Sequence, residues 1–171
     1  VLTHRDIPGH NIFGAVVHDE YLLAEEEALY IGHPLAIVVA SSLSALAAAK
    51  KAVQFDLAEL PTILTIDQAL EARSFLSDRR TIQRGDVAGA LAAGPRTITG
   101  TLDICGQEHF YLESHAAVAV PGEDGTFVVH SSTQHPTEVQ SLVAQALGVS
   151  FNRVSVICKR MGGGFGGKET Q

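Results

Sequence analysis

The sequence lacks several features that would place it in common structural classes. It has no initiating methionine, no apolar run near the ~20 residues that a membrane-spanning helix needs, and no secretory signal pattern. Its two cysteines, Cys105 and Cys158, lie far apart and outside any Cys-x-x-Cys pattern, which disfavours a disulfide framework and a structural zinc site. These absences predict a soluble cytoplasmic protein without a membrane partner. The missing start and the abrupt end predict a piece of a longer chain.

Charge is distributed unevenly along the chain. The net charge of -7 disfavours a nucleic-acid partner. Residues 151–171 nevertheless hold four basic residues against one acidic residue, a net charge of +3, and they include a run of glycines. Positive side chains beside exposed backbone N–H groups favour an anionic ligand there. The alternative is a solvated tail.

The first part of the chain, to about residue 70, has the pattern of a mixed α and β segment. Ser42 or Ser44 is typical of a helix N-cap before the alanine-rich run that ends near Ala52. The other predicted elements of this part are strands over 28–31 and 35–40, with a turn between them, and a helical turn over 66–70. Residues 73–95 are rich in charge and glycine and predict a connector, in which Asp86 caps a short helix over 87–93.

The last part of the chain is predicted to be richer in β-strand. A strand over 97–104, a hairpin formed by 117–120 and 126–129, and a strand over 154–158 are indicated by their apolar patterns. Between the last two, Val139 begins an apolar stripe at helical spacing that ends at Leu147. Thr137 is the predicted N-cap of this helix and Gly148 its stop. Strands broken by a few helices predict an α+β fold.

The glycine-rich segment at residues 162–168, called the glycine loop below, nearly fits two phosphate-binding motifs. Gly162, Gly164 and Gly167 have dinucleotide-fingerprint spacing, but no helix or distant acidic residue follows. Gly162 through Lys168 also matches most of the Walker A pattern, but Glu169 stands where that pattern requires Ser or Thr. Such a density of glycine permits close backbone approach to a flat or bulky ligand.

Three motifs in order, at residues 106–113, 132–136 and 160–169, resemble the molybdenum-binding part of the xanthine dehydrogenase and xanthine oxidase family. The resemblance covers essentially the whole chain. It implies an α/β hammerhead domain over 1–72, the connector over 73–95, and the N-terminal, truncated part of a molybdopterin-binding α+β domain over 96–171.

The resemblance also implies a cofactor site. Gln134 matches the glutamine whose side-chain amide lies beside an oxo ligand of the molybdenum. Phe165 and Gly166 match a Phe-Gly pair near the metal, and Gly163 and Gly164 belong to the glycine backbone that lines the molybdopterin. Gln134 and Phe165 are therefore expected close to the molybdenum, without being direct ligands.

A substrate site and an incomplete reaction centre are implied in the same way. Glu169 matches the glutamate that orients a purine, which favours hypoxanthine or xanthine as the substrate. The catalytic base, a glutamate, is expected beyond Gln171, so no catalytic residue is assigned within this chain. The family hydroxylates an electron-poor carbon with oxygen from water, and electrons leave through iron–sulfur clusters to FAD.

These implications describe a part of a larger oxidoreductase of purine metabolism. The iron–sulfur clusters and FAD are expected on other domains or subunits, together with the remainder of the large subunit. The isolated chain is predicted to be inactive. Three alternatives remain open from the sequence: a molybdenum hydroxylase of the aldehyde oxidase type, a non-catalytic interaction module, and a nucleotide-binding domain that uses the glycine loop from Gly162 to Lys168.

Overall fold

The computed structural model describes residues 1–14 and 17–169. The chain divides into two compact units: Val1–Val53 with Gln107–Gln171, and Gln54–Gly106. Helices and short strands are mixed along the chain, as the α+β prediction requires. Among the described residues, no helix combines the length and the apolar character needed to cross a bilayer.

Among residues 1–14 and 17–53, the N-terminal part of the first unit contains two short strands and one α-helix. Strands β1 (Ile12–Phe13) and β2 (Glu20–Tyr21) pair in antiparallel orientation. Helix α1 (Leu43–Ala52) follows the N-cap Ser42, whose Oγ accepts a hydrogen bond from the backbone N–H of Ala45 at 3.2 Å. The predicted serine-capped helix is therefore confirmed.

The predicted strands over 28–31 and 35–40 are wrong. Ile37 makes only an isolated bridge with Leu2. Between the two segments, the buried imidazole of His33 accepts a hydrogen bond from the N–H of Leu29 and lies 3.2 Å from the carbonyl of Tyr21. The first bond engages a backbone N–H of the predicted strand 28–31 that a regular ladder would have paired, so the segment is folded around a histidine side chain.

The second unit, Gln54–Gly106, contains two short helices and no buried side chain. Helix α2 (Ile66–Glu71) begins with a capping box formed by Thr65 and Gln68. Helix α3 (Val87–Ala93) is capped by Asp86, whose Oδ1 accepts from the N–H of Gly89 at 2.9 Å, as predicted. The predicted strand over 97–104 does not form, because this segment pairs with no other strand of the described chain.

The remainder of the first unit is built on a three-stranded sheet. The hairpin strands β3 (Ala117–Pro121) and β4 (Phe127–Ser131) are antiparallel, and β4 pairs in parallel with β5 (Val154–Ile157). Helix α4 (Pro136–Leu147) connects β4 to β5 and packs its apolar stripe on the sheet. The carboxyl ends of β4 and β5 therefore lie at the same edge, where ligands bind in many sheets with parallel strands.

The sheet and α4 enclose the small core of the unit. Val129 of β4, Ala144 of α4 and Val154 of β5 are buried and in mutual contact. Gly148 ends α4 with a left-handed φ of 64°, as predicted. The helix begins two residues before the predicted start: the N-cap is His135, because Pro136 is favoured at the first helical position, where its missing N–H costs no hydrogen bond.

Gly9 attaches the N-terminal segment to the end of α4. Its N–H donates to the carbonyl of Ala146, and the N–H of His10 donates to that of Gln145, both at 2.9 Å. A Cβ atom on Gly9 would lie 1.9 Å from the Gln145 carbonyl oxygen, so only glycine permits this approach of two backbones.

Replacing Gly9 with alanine should therefore lower the free energy of unfolding by about 1–3 kcal/mol, the usual cost of overpacking. Urea denaturation of the purified protein measures the change. Gly100→Ala is the matched control, since a Cβ at that position would meet no atom within 4 Å. Equal stability of the two variants would show that the contact between Gly9 and α4 does not hold in solution.

Candidate functional site

The glycine loop lies just beyond the carboxyl end of β5. Its backbone has positive φ angles at Gly163 (104°), Phe165 (51°) and Gly166 (93°). Glycine adopts such angles without steric cost, which explains two of the three positions. The third is occupied by Phe165, whose side chain is 76% exposed. The loop thus presents an aromatic ring flanked by positions that have no side chain.

Gln134 lies beyond the carboxyl end of β4 and reaches into the glycine loop. Its Oε1 accepts hydrogen bonds from the backbone N–H groups of Gly166 (2.9 Å) and Lys168 (3.3 Å). Its own backbone N–H donates to the Lys168 carbonyl at 2.9 Å. Because both partners of the side chain are donors, the oxygen must face the loop. The Nε2 amide has no hydrogen-bond partner in residues 1–14 and 17–169, and it remains a donor.

Gly164 allows this contact between the Gln134 side chain and the loop. A Cβ atom on Gly164 would lie 2.3 Å from Oε1 of Gln134, well inside any normal contact distance. Gly164 is itself buried. The requirement for glycine at this position is therefore steric: the loop backbone and the glutamine side chain occupy adjoining space.

Lys168 at the end of the loop is completely buried, with 0% of its surface exposed. Its Nζ lies 3.0 Å from Oε2 of Glu113 and 2.5 Å from the hydroxyl oxygen of Ser132. The ammonium group also lies 4.6 Å from the centre of the Tyr111 ring, within cation–π range. A buried ammonium is tolerated only with such partners, and Lys168 has three of them.

Glu113 is held in its ionised form by this arrangement. The N–H of Gly162 donates to its Oε2 at 2.8 Å, and together with the Lys168 ammonium and the Ser132 hydroxyl it lowers the pKa of the carboxyl from 4.5 to about 2. Since the folded-state pKa is depressed, the contribution to stability is complete above pH 4.5 and is lost as the pH falls toward 2.

One of the four positive charges at the end of the chain is not exposed, as the sequence would predict, but buried. The Lys168 ammonium is turned into the protein, whereas Arg153, Lys159 and Arg160 are exposed. A Walker A lysine must reach the phosphates of its nucleotide. Because the Lys168 ammonium is instead buried against Glu113, the structure does not support the nucleotide-binding alternative for the glycine loop.

Glu169 follows the buried lysine and is half exposed. Its Oε1 lies 3.7 Å from Nε2 of His135, whose Nδ1 lies 3.7 Å from Oε2 of Glu138. Glu169 and Glu138 line a cavity of about 640 Å³. Much of the cavity wall is apolar and comes from β1, β3, β4 and α4. The Glu169 carboxylate is thus placed at a concave, mainly apolar surface of the first unit.

The structure brings most of the predicted site residues together. Gln134 contacts Gly164 and Gly166 directly, whereas Gly163 and Phe165 belong to the same loop. Glu169 adjoins the loop and forms no hydrogen bond to Gln134 in the described part of the chain.

Two residues of the site were not assigned a role from the sequence. Glu113 and Lys168 form the ion pair beneath the loop, although they are 55 positions apart in the chain. No local spacing pattern relates residues so distant. From the sequence, Lys168 counts only toward the basic end of the chain and toward the Walker A alternative, neither of which indicates a buried ion-pair partner.

The fold and the glycine loop agree with a comparison to known families. A family described as the molybdopterin cofactor-binding domain matches residues 70–171. This range is more than half of the chain and contains the whole glycine loop and Gln134. The chain belongs to the molybdopterin cofactor-binding domain family, and the predicted cofactor class is confirmed.

Individual relatives make the assignment more specific. The chain is 44% identical to the xanthine dehydrogenase/oxidase of Gallus gallus, over 99% of this chain and 12% of that protein. It is 43% identical to the xanthine dehydrogenase of Emericella nidulans, over 99% of this chain and 13% of that protein. The predicted relationship to the xanthine dehydrogenase family is confirmed, and the chain spans about one eighth of the length of these relatives.

A solved structure supports the fold over nearly the whole chain. The aldehyde oxidoreductase from Desulfovibrio gigas superposes with a TM-score of 0.77, covering 98% of this chain and 20% of that chain at 23% sequence identity. At this identity the likeness shows the fold alone. It agrees with the α+β class predicted from the sequence.

Proposed function

We propose that this chain is part of a xanthine dehydrogenase-like molybdenum hydroxylase and forms one side of its molybdopterin centre. The whole protein would oxidise hypoxanthine or xanthine, with water as the source of the added oxygen. The observation that carries this proposal is the orientation of Gln134, which commits its side-chain oxygen to the glycine loop and leaves its amide N–H groups as donors.

The donor set fits the proposed cofactor. When bound, the molybdenum–molybdopterin cofactor would supply a metal centre that activates water and accepts electrons from the substrate. An amide N–H group is the appropriate partner for an oxygen ligand of such a metal. Gln134 would therefore donate a hydrogen bond to that oxygen without coordinating the metal, and the two loop N–H groups on its Oε1 would hold the amide in that orientation.

The glycine loop would supply the surface on which the cofactor rests. Gly163, Gly164 and Gly166 carry no side chain, so a planar pterin can approach their backbone closely. The exposed ring of Phe165 projects from the same loop and would exclude water from the region near the metal. The ring and the glycine backbone would thus provide a dry, close-fitting wall.

Glu169 supports a purine as the substrate class. A carboxylate can pair with the ring nitrogen and N–H groups of a purine, whereas a simple aldehyde offers no such edge. Glu169 lines the concave surface close to the glycine loop. The relatives with 43–44% identity are named xanthine dehydrogenases, which favours the purine over the aldehyde alternative.

The remaining parts of the reaction centre would come from outside this chain. The catalytic glutamate base is proposed to follow Gln171, and the iron–sulfur clusters and FAD to lie on other domains or subunits. Within the chain, we propose a hammerhead domain over 1–72, a connector over 73–95 and the start of the molybdopterin-binding domain over 96–171. The isolated chain would be inactive, and the whole protein would be cytoplasmic.

Metal analysis combined with an isotope experiment tests this function. The purified full-length protein should contain stoichiometric molybdenum and should convert hypoxanthine or xanthine to a product that carries labelled oxygen from water. The 171-residue chain alone should retain no molybdenum, because it forms only one side of the centre, and should show no turnover, because it lacks the proposed base.

Three outcomes would contradict the proposal. The proposal would be refuted if the full-length protein contained no molybdenum after expression in a cell that makes the cofactor. Turnover of aldehydes without turnover of purines would favour the aldehyde oxidase alternative. Stoichiometric molybdenum on the isolated chain would show that one side of the centre is sufficient to hold it.

A further inference from the structure

The ion pair between the partly exposed Glu113 and the buried Lys168 has no part in the proposed chemistry, yet it joins the two ends of the glycine loop. One atom, Oε2 of Glu113, accepts from the N–H of Gly162 at 2.8 Å and from the ammonium of Lys168 at 3.0 Å. The backbone N–H of Glu113 also donates to the Gly162 carbonyl at 3.2 Å. The first and last residues of the loop therefore meet at a single carboxylate.

The backbone of Lys168 is at the same time the main support of Gln134. Its N–H donates to Oε1 of Gln134, and its carbonyl accepts from the Gln134 N–H and the Thr133 hydroxyl. Thr133 is itself buried, with 2% of its surface exposed. Any movement of Lys168 would thus displace Gln134 and also Glu169, the next residue in the chain.

The burial of Lys168 makes this arrangement most sensitive to the loss of its partner carboxylate. An ion pair removed from water is stable only when both partners are present, because a single remaining charge is left without compensation. Lys168 is 0% exposed, whereas the Glu113 side chain is 37% exposed. Removing the carboxylate should therefore lower the folding stability more than removing the ammonium does, because it leaves the fully buried charge unpaired.

We propose that the Glu113–Lys168 ion pair is a clasp that closes the glycine loop, and that both are positioning residues for the loop and for Gln134, with the closed loop retaining the cofactor. This inference rests on the proposed function, since it assumes that the loop and Gln134 hold molybdopterin. Neither residue touches the reacting atoms. Each acts through the backbone of the loop.

Three variants of the full-length protein test the clasp. Glu113→Gln keeps the shape of the side chain and removes its charge, Lys168→Met keeps much of the apolar stem and removes the ammonium, and the third variant combines both. Loss of molybdenum during dialysis is followed by metal analysis, and the melting temperature of the cofactor-free protein is measured separately. Both single variants should lose molybdenum about 10-fold faster than the original protein, as is typical when support of a metal site is removed.

The double variant separates positioning from simple folding stability. Because it leaves no uncompensated charge, its cofactor-free form should melt above that of Glu113→Gln. Its molybdenum should nevertheless be lost as fast as in the single variants, since the loop is no longer clasped. If the double variant recovered both the melting temperature and the slow loss of molybdenum, the inference would be overturned, because the pair would then serve folding only.

Lys50→Met and Glu71→Gln provide the matched control, since both side chains lie on exposed faces of α1 and α2. This control should leave the rate of molybdenum loss unchanged. If the original protein holds molybdenum and all three clasp variants lose it at the original rate, the clasp is refuted while the proposed function stands. Absence of molybdenum from the original protein would instead refute the proposed function itself.

Discussion

Replacing Glu169 with valine in the full-length protein should lower kcat/KM for xanthine by about 100-fold, the usual cost of losing hydrogen bonds to a charged group. Turnover of a simple aromatic aldehyde should change only about a few-fold, because for this substrate the substitution alters the shape of the pocket and removes no hydrogen bond. The difference arises because only the purine offers ring N and N–H groups for the carboxylate. Steady-state kinetics with the two substrates, on enzyme of equal molybdenum content, measure it.

Glu26→Val is the matched control for this substitution. Glu26 is an exposed carboxylate in the acidic run near the N-terminus, and its replacement should leave both substrates unaffected. If Glu169→Val lowered purine and aldehyde turnover equally, the carboxylate would not recognise the purine specifically. A preference for purines would then have to come from other residues.

Replacing Gln134 with glutamate should lower kcat by about 10²–10³-fold, as does the loss of one preorganised donor in other enzymes. Glutamate has nearly the same shape, and its carboxylate can still accept from the N–H groups of Gly166 and Lys168. Only the donor capacity of Nε2 is lost, and under the proposed function a negative charge is placed near the oxygen ligand that the amide would contact. Molybdenum content should remain close to that of the original protein, because the loop contacts are retained.

Gln54→Glu, at an exposed position in the second unit, controls for the added negative charge. Its kcat should equal that of the original protein. A Gln134→Glu variant with full activity would show that the amide donor takes no part in the reaction. A variant that lost molybdenum would show that the amide binds the cofactor more than it assists turnover.

Local structure was predictable where the determining contacts lie within a few residues. Asp86 caps α3 through the N–H of Gly89, three positions along the chain, and Gly148 ends α4 because it adopts a left-handed backbone. The β3–β4 hairpin forms around the predicted turn for the same reason. Caps, stops and turns of this kind depend on residues a few positions away in the chain, so the sequence alone contains the information that determines them.

Strands that need a distant partner were not predictable in this way. Residues 97–104 alternate in polarity, but they have no partner strand among the described residues and remain without regular structure. In residues 28–40, the imidazole of His33 instead accepts a hydrogen bond from the backbone N–H of Leu29. Alternating polar and apolar residues indicate that a segment can form a strand. Whether it does so depends on whether the fold places a partner strand beside it.

The candidate site was predictable only in part. The resemblance of three motifs indicated Gln134, Phe165 and Glu169, and the roles of these residues remain predictions. Their support was not predictable, because the contact of Glu113 with Lys168 joins positions 55 residues apart. A motif identifies the residues that face a ligand more readily than the buried residues that hold them in place.

The parallel pairing of β4 with β5 has a consequence for how this family can diverge. Gln134 and the glycine loop follow the carboxyl ends of these strands, whereas the core lies on the inner face of the sheet, at Val129 and Val154. Mutations beyond the strand ends can therefore change these site residues while the folded core is inherited unchanged. The fold itself is shared with the aldehyde oxidoreductase structure at only 23% identity.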